Sequence, residues 1–374
     1  MKILFLLAIS PNPRMTKRMR VLKKENDIFL IYWRMQEQYL WGGSWQDIRY
    51  KEVFIRAQKG APVKRIGKTF RFMLQALKEI KKENPECIYI QNLDMLSIAC
   101  LYKKLWNKDI RLVYEIADLH SYIIQPPKSF TGKILQKILR RLESCLCRQI
   151  YMLINTSEKY YDVYYSKFVP REKLLVIPNV PDRKAFSNYE KKNSGEFTVG
   201  FIGGVQFKQE LKLLIQASKE INVTVRIAGS EIGNEIDKIC KKENIYYHGP
   251  YNYDRDISEL YSAIDCVFAV YDSDNYNVKI ALPNKLYEAI LCEIPILVAK
   301  GTYLSEVVEK LGIGVSIEHD DIEDYKRALS DLKTNILLRE KISKQCRGIK
   351  TQYQLETYNL QLVERICKRE NSRV

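Results

Sequence analysis

Histidine is scarce in this chain, with three among 374 residues, too few and too scattered for a histidine metal cage. The nine cysteines fall at 87, 100, 145, 147, 240, 266, 292, 346 and 367 with no paired metal-ligand spacing. Several lie in apolar runs such as residues 266–270, so they read as reduced, buried thiols of a cytoplasmic protein. No apolar run is long enough to span a bilayer. Residues 1–9 faintly imitate a signal peptide, but the Ser10-Pro11-Asn12-Pro13-Arg14 that follows suits an opening strand and its loop better. Internal repeats and low-complexity segments are missing too. The second half lacks the positive charge of the first. Residues 1–192 hold 37 Lys and Arg against 18 Asp and Glu, a net of +19, whereas residues 193–374 hold 24 against 27, a net of −3. The asymmetry points to an anionic partner for the first half alone, a membrane surface or nucleic acid.

At this length two domains are the default. In the first half, apolar strand-like runs at 2–8, 27–32, 50–55, 87–91, 110–114, 152–155 and 174–177 alternate with helical patterns at 14–25, 63–83, 94–106, 131–148 and 157–168. Strands this apolar, followed by helices, predict a parallel sheet covered on both faces, with ligands gathering at the carboxyl ends of the strands. The polar stretch 187–196 reads as a linker. Strand-like runs return at 197–202, 223–228, 245–247, 265–270, 294–299 and 312–317. The expected class is therefore α/β: two Rossmann-like, doubly wound domains spanning residues 1–186 and 197–353.

The stretch 281–298 compresses a loop, a helix start and a buried strand. Pro283 suits the first turn of a helix and leaves the amides of Asn284, Lys285 and Leu286 facing outward. Lys285 adds a full charge to the partial positive charge of the terminus, so a diphosphate is the natural guest. Glu288, one turn on, would repel phosphate but accept hydrogen bonds from a ribose diol. The same residues would also serve an ordinary amphipathic helix with Leu286, Ala289 and Ile290 packed inward. A second phosphate-side candidate is the turn Gly203-Gly204, where backbone can approach an anion closely and Lys208 could close on it.

The run Pro283-Asn284-Lys285-Leu286-Tyr287-Glu288 with its following strand resembles the donor-site helix of GT-B glycosyltransferases, in particular the family-4 group that uses nucleotide sugars. The resemblance extends along most of the chain and is strongest in the second half. It implies two domains facing a central cleft, a last helix (354–369) crossing back to the first domain, and no metal or bound cofactor. By resemblance Glu288 holds the donor ribose, and Tyr251 lies near the donor base. Its partner acidic residue would fall at Ile280, leaving Asp272 and Asp274 as weak substitutes; Asp272-Ser273-Asp274 also keeps a metal-dependent route open. The arginine the family carries after the glycine turn is missing, so Lys208 and Lys285 would share the diphosphate. Arg14 and Lys17 are expected on the acceptor side. The segment from Tyr114 to His120 resembles the family's Glu-x-His-Asp turn with Ala117 at the histidine position, making Asp118 and His120 the catalytic candidates.

Two helices carry much of the positive charge. One interleaves Lys133, Lys137, Arg140, Arg141 and Arg148 with Ile134, Leu135, Ile138, Leu142 and Leu146; the other sets Lys64, Arg65, Lys68 and Arg71 beside Phe70, Phe72 and Met73. Such apolar residues either pack on a sheet or lie on a bilayer. By resemblance, many relatives elongate lipid-linked glycans and dock on the membrane through this domain. The expected activity is transfer of a sugar, with retention of configuration, from a nucleoside diphosphate to an acceptor hydroxyl. The expected partners are a nucleotide-sugar donor, a glycan or lipid-linked glycan acceptor and the anionic inner face of the plasma membrane, rather than nucleic acid. A nucleotide-sugar epimerase of the same fold and a catalytically inactive basic binding protein are the alternatives.

Overall fold

The computed structural model describes residues 1–36, 45, 47–57, 62–127, 129–192, 195–230, 233–243 and 245–367, leaving aside the side chains of residues 62–66, 121 and 234. Contacts divide the chain into two units, Met1–Pro178 with Glu356–Val374, and Asn179–Leu355.

The first unit is built on β1 (Lys2–Leu7), β2 (Asp27–Arg34), β3 (Arg49–Phe54), β4 (Cys87–Gln91), β5 (Arg111–Ile116), β6 (Met152–Asn155) and β7 (Leu174–Val176). Their order across the sheet is β3-β2-β1-β4-β5-β6-β7, and each pairing among the described residues is parallel. The central strands are apolar throughout because helices cover both faces. In register, Phe5 lies beside Leu30 on one side and Tyr89 on the other, and its ring stacks on Tyr89 at 4.6 Å. The helix Pro13–Lys23 begins where Asn12 accepts a hydrogen bond from the Met15 amide and Pro13 occupies the first turn.

The last helix, Leu355–Cys367, returns to this unit as expected. Leu362 and Ile366 are fully buried in the core around Ile3, Phe5, Cys87 and Val113. Its carboxyl end is pinned by Arg111, whose guanidinium donates to the Ile366 carbonyl at 2.9 Å.

The second unit repeats the design with β8 (Thr198–Ile202), β9 (Thr224–Ala228), β10 (Tyr246–Tyr247), β11 (Cys266–Ala269), β12 (Ile296–Ala299) and β13 (Gly314–Ile317). The order is β10-β9-β8-β11-β12-β13, again parallel. In both sheets the winding reverses at the first strand, between β1 and β4 and between β8 and β11, where an open α/β sheet leaves a crevice at its carboxyl edge.

The unit boundary falls at 178/179, earlier than composition suggests. Residues 187–192 are bound to the second unit: Tyr189 donates to the Cys292 carbonyl at 2.9 Å, and Lys191 pairs with Asp265 at 2.7 Å. The region 157–168 is a six-residue helix, Glu158–Val163, and a separate short turn of helix, Tyr165–Lys167, rather than one helix. All nine cysteines are free and seven are buried, but Cys145 is exposed.

Leu362→Ala should cost about 2–5 kcal/mol through the cavity it leaves. Hydrogen exchange should then rise in β1, β2 and β4 while β8, β11 and β12 stay unchanged, because the helix serves the first unit's core. Faster exchange in the second sheet alone would contradict this placement.

Candidate active site

The carboxyl edge of the second sheet is shaped by glycines that hold backbone against backbone. Gly203 follows β8 with φ of 145°, and Gly229 follows β9 with φ of 154°. A Cβ on Gly229 would lie 1.9 Å from the Gly203 carbonyl oxygen, and one on Gly203 would lie 2.8 Å from Nζ of Lys285. A side chain at Gly229 would collide with backbone, and one at Gly203 would push the lysine ammonium aside and strain a backbone with positive φ. The Gly203 amide donates to the Ala228 carbonyl at 2.9 Å, and the Gly229 amide donates to the Gly249 carbonyl at 2.9 Å, so the ends of β8, β9 and β10 are linked in series.

Lys285 reaches this turn from the helix Asn284–Cys292. It is 8% exposed, and its ammonium stands 4.7 Å from the centre of the Phe201 ring and 5.6 Å from that of Tyr271. Among the described residues no carboxylate pairs with it within 4 Å. Glu288, one helical turn on, is the natural partner for such a pair. Its carboxylate is instead occupied: Tyr253 donates to Oε1 at 2.8 Å and Tyr261 to Oε2 at 2.6 Å, and Glu288 is 3% exposed. Burial, reinforced by the Glu288 charge, raises the Tyr253, Tyr261 and Tyr251 phenols above their ordinary range. These hydroxyls therefore stay protonated, and those of Tyr253 and Tyr261 keep donating to Glu288. The result is a cation with no described counter-ion at the crevice of the sheet, beside a carboxylate whose two oxygens both accept from tyrosines.

The helix terminus differs in detail from the expectation. Pro283 precedes the helix as its cap residue, and the Leu286 amide donates to the Pro283 carbonyl at 3.2 Å, so Leu286 offers no free amide. Asn284, exposed, and Lys285 open the helix and have no intrahelical acceptor for their amides. Lys208 opens the helix Lys208–Glu220 and is exposed; its ammonium lies 2.7 Å from where a Cβ on Gly233 would be, towards a different turn from the one Lys285 occupies. Gly204 is exposed, and Tyr251 is half-buried after β10. Asp272, the substitute expected for an acidic residue at Ile280, is engaged locally. Its Oδ1 accepts from the Asp274 amide at 2.8 Å and faces Nε2 of His319 at 3.5 Å.

In the first unit, the candidates also gather at the carboxyl edge of their sheet. Asp118 and His120 follow β5 and are exposed. Oδ1 of Asp118 accepts from Tyr160 at 3.3 Å, and the nearby Arg14 charge offsets part of the rise that burial imposes on the Tyr160 phenol. Nη1 of Arg14 is buried with no described partner. His120 stacks on Tyr122 with ring centres 4.8 Å apart. Lys17 is half-buried on the helix that Arg18 anchors, where Arg18 pairs with the fully buried Glu115 at 3.4 Å.

The basic helix Phe130–Cys147 shows most of its apolar side chains to solvent, although Leu146 at its end is buried. Phe130, Ile134, Leu135, Ile138 and Leu142 are exposed, as are Lys133, Lys137, Arg140 and Arg141. Arg140 is tied inward, its Nε donating to the Ile123 carbonyl at 2.8 Å. On the other basic helix, Phe70 and Leu74 are exposed while Phe72 is buried against Trp33; Lys64 and Arg65 lie outside the described side chains.

Paired doubly wound units, the crossing helix and a cationic crevice in the second sheet define a GT-B fold. Residues 182–348 match the family described as "Glycosyl transferases group 1". Fold and match together make the chain similar to GT-B glycosyltransferases of the family-4 type. Among curated proteins it is similar to the succinoglycan biosynthesis protein ExoL of Rhizobium meliloti, 26% identical over 297 residues, which are 74% of this chain and 71% of that one. It is also similar, at 31% identity over 144 residues, to the GalNAc-alpha-(1->4)-GalNAc-alpha-(1->3)-diNAcBac-PP-undecaprenol alpha-1,4-N-acetyl-D-galactosaminyltransferase of Campylobacter jejuni, covering 38% of this chain and 35% of that one. Among solved structures, Anabaena HepE in complex with UDP superimposes with a TM-score of 0.71 at 17% identity over 98% of this chain and 100% of that one. The UDP-GlcNAc 2-epimerase of Neisseria meningitidis shares the fold at a TM-score of 0.65, 14% identity, and 99% and 100% coverage.

Sequence reasoning passes over Tyr253, Tyr261, Phe201, Tyr271 and Gly229. The available signal is the excess of tyrosine, 25 against 12 phenylalanine, which marks a chain whose buried rings need hydroxyls. Gly229→Ala should force the Gly203 carbonyl away and displace the Lys285 ammonium with it. Thermal stability and nucleotide affinity should fall together, whereas Gly204→Ala, with nothing within 4 Å of its added methyl, should leave stability unchanged. Equal melting temperatures for both variants would remove the glycine contact from the account.

Proposed function

We propose that this protein transfers a sugar, with retention of configuration, from a nucleoside diphosphate sugar to a hydroxyl of a growing surface glycan, working at the inner face of the plasma membrane. The observation that carries this reading is the buried Lys285 ammonium, unpaired by any described carboxylate, at the Gly203 turn. A diphosphate supplies the missing negative charge, and the amides of Asn284 and Lys285 add donors at the helix terminus. Lys285 and the terminus meet the leaving-group charge without a metal in contact with it, and Lys208 joins them by swinging from the Gly233 turn to the outer oxygens. Glu288 takes the ribose hydroxyls on the lone pairs that Tyr253 and Tyr261 leave open. Tyr251 borders the base. In the first unit, Arg14 and Lys17 position the acceptor, and Asp118 with His120 handles its proton or the charge of the forming oxocarbenium ion.

UDP is the first nucleotide to test, because HepE is seen with UDP. The Campylobacter relative acts on an acceptor whose name ends in PP-undecaprenol, which makes a polyprenyl-diphosphate glycan the first acceptor to test. Transfer from a UDP-sugar panel to such an acceptor, with the new anomeric centre read by NMR, decides the activity. A retained configuration is expected; epimer formation without an acceptor would transfer the reading to the epimerase activity found on the same fold.

No described helix is long and apolar enough to cross a membrane, so contact with a lipid-linked acceptor falls to a surface. The helix Phe130–Cys147 fits that role, with exposed Phe130, Ile134, Leu135 and Ile138 among exposed Lys133, Lys137 and Arg141. Each cation near an anionic surface contributes about 1 kcal/mol. Reversing Lys133, Lys137 and Arg141 to Glu, while sparing Arg140 for its bond to Ile123, should therefore abolish cosedimentation with anionic vesicles. Transfer to a lipid acceptor should drop and donor hydrolysis in solution persist. Equal recovery of the unmodified protein with neutral and anionic vesicles would sink the membrane role, and tight, salt-sensitive nucleic-acid binding would replace it.

A further inference from the structure

The same edge of the second sheet gathers Glu210, Asp272 and His319 from three separate places. Glu210 lies in the first turn of the helix Lys208–Glu220, Asp272 follows β11, and His319 follows β13. One ligand-capable atom from each lies within 4.8 Å of the others. Nε2 of His319 is 3.5 Å from Oδ1 of Asp272, and its Nδ1 is 2.9 Å from the Ser273 hydroxyl, which orients the ring. Ligands at about 2.0–2.1 Å from a tetrahedral ion stand about 3.4 Å apart, so the Asp272–His319 spacing already suits one and Glu210 needs only a small side-chain adjustment.

The independent observation is the state of Glu210. The described buried carboxylates are Glu115, Glu143, Glu210, Glu288 and Asp324. Glu115 takes Arg18 and Tyr89; Glu143 takes Tyr114, Tyr164 and Tyr165; Glu288 takes Tyr253 and Tyr261; Asp324 takes Lys300 and the Glu318 amide. Glu210 is 5% exposed, yet its one described hydrogen bond is to the amide of its own residue. A carboxylate buried to that degree without a cation is costly, and here it points at a second carboxylate and an imidazole.

We propose that Glu210, Asp272 and His319 bind one divalent transition-metal ion, of the zinc or manganese class. Two carboxylates with one imidazole favour these ions over calcium, which takes an all-oxygen shell. The ion ties the segment after β11 to the ends of β8 and β13. Tyr271, next to Asp272, is thereby held with its ring 5.6 Å from the Lys285 ammonium. The ion's role is to fix this segment rather than to contact the diphosphate, and its binding requires no nucleotide.

The test is calorimetric titration of the chelator-stripped full chain with zinc chloride and manganese chloride, in the absence of nucleotide. One ion per chain should bind and raise the melting temperature. Glu210→Gln and His319→Gln should each weaken binding by about tenfold or more, since loss of even an outer partner costs about 10–100-fold. Cobalt(II) absorption of the unmodified protein gives a readout that does not depend on the variants folding: nitrogen and oxygen ligation with no thiolate charge-transfer band is expected. Failure of the unmodified chain to bind any of the three ions overturns the proposal. So does stoichiometric binding that survives both substitutions, or a thiolate band, either of which would place the ion elsewhere.

Discussion

A lysine and a glutamate one turn apart on a helix ordinarily neutralise each other, and this fold prevents it. Lys285 and Glu288 share the helix Asn284–Cys292, yet both carboxylate oxygens of Glu288 are held by Tyr253 and Tyr261. The ammonium is left against two aromatic faces at the Gly203 turn, where ring quadrupoles attract it without cancelling its charge. A burial this complete is costly for a cation unless an anion joins it, as the proposed diphosphate would. The two glycines belong to the same arrangement: a Cβ on Gly203 would crowd Nζ, and one on Gly229 would collide with the Gly203 carbonyl.

Neutral hydroxyls as partners for buried carboxylates recur through the chain. Glu143 sits among Tyr114, Tyr164 and Tyr165 with no described cation paired to it, and burial pushes its carboxyl up while the three phenols pull it down. Apart from the buried Arg18–Glu115 pair, the first unit shows many of its described lysines and arginines at the surface, and the helix Phe130–Cys147 presents several among exposed apolar side chains. The basic helix of the first unit thus carries charge outward, whereas the second unit keeps the Lys285 cation inward at its crevice.

Much of the fold is legible in the sequence. Apolar runs such as Leu4 to Leu7 and Cys87 to Ile90, each followed by a helical pattern, suit central strands of a covered parallel sheet, and the helix Leu355–Cys367 carries Leu362 and Ile366 at a spacing that suits a core. The stretch around Lys285 is legible because a helix start, a lysine and a following strand lie within a few residues of one another. Its neighbours are not. Tyr253 and Tyr261 lie 35 and 27 positions from Glu288, and Gly229 meets Gly203 only once β9 is laid beside β8. The terminus at Pro283 misleads by one residue because proline serves equally well before a helix and in its first turn. The polar composition of residues 187–196 suggests a linker, but polarity does not reveal that Tyr189 and Lys191 find partners in the second unit.

The central claim is that Lys285 receives the diphosphate because Glu288 is kept from it. Calorimetric titration of UDP into the unmodified protein, Lys285→Met and the double variant Tyr253→Phe, Tyr261→Phe tests it directly. Both variants should lose affinity by about tenfold or more, the scale of one charge-assisted hydrogen bond of about 1.5–3 kcal/mol. The double variant should do so by freeing Glu288 to pair with the lysine. Unmodified affinity in Lys285→Met would contradict the account.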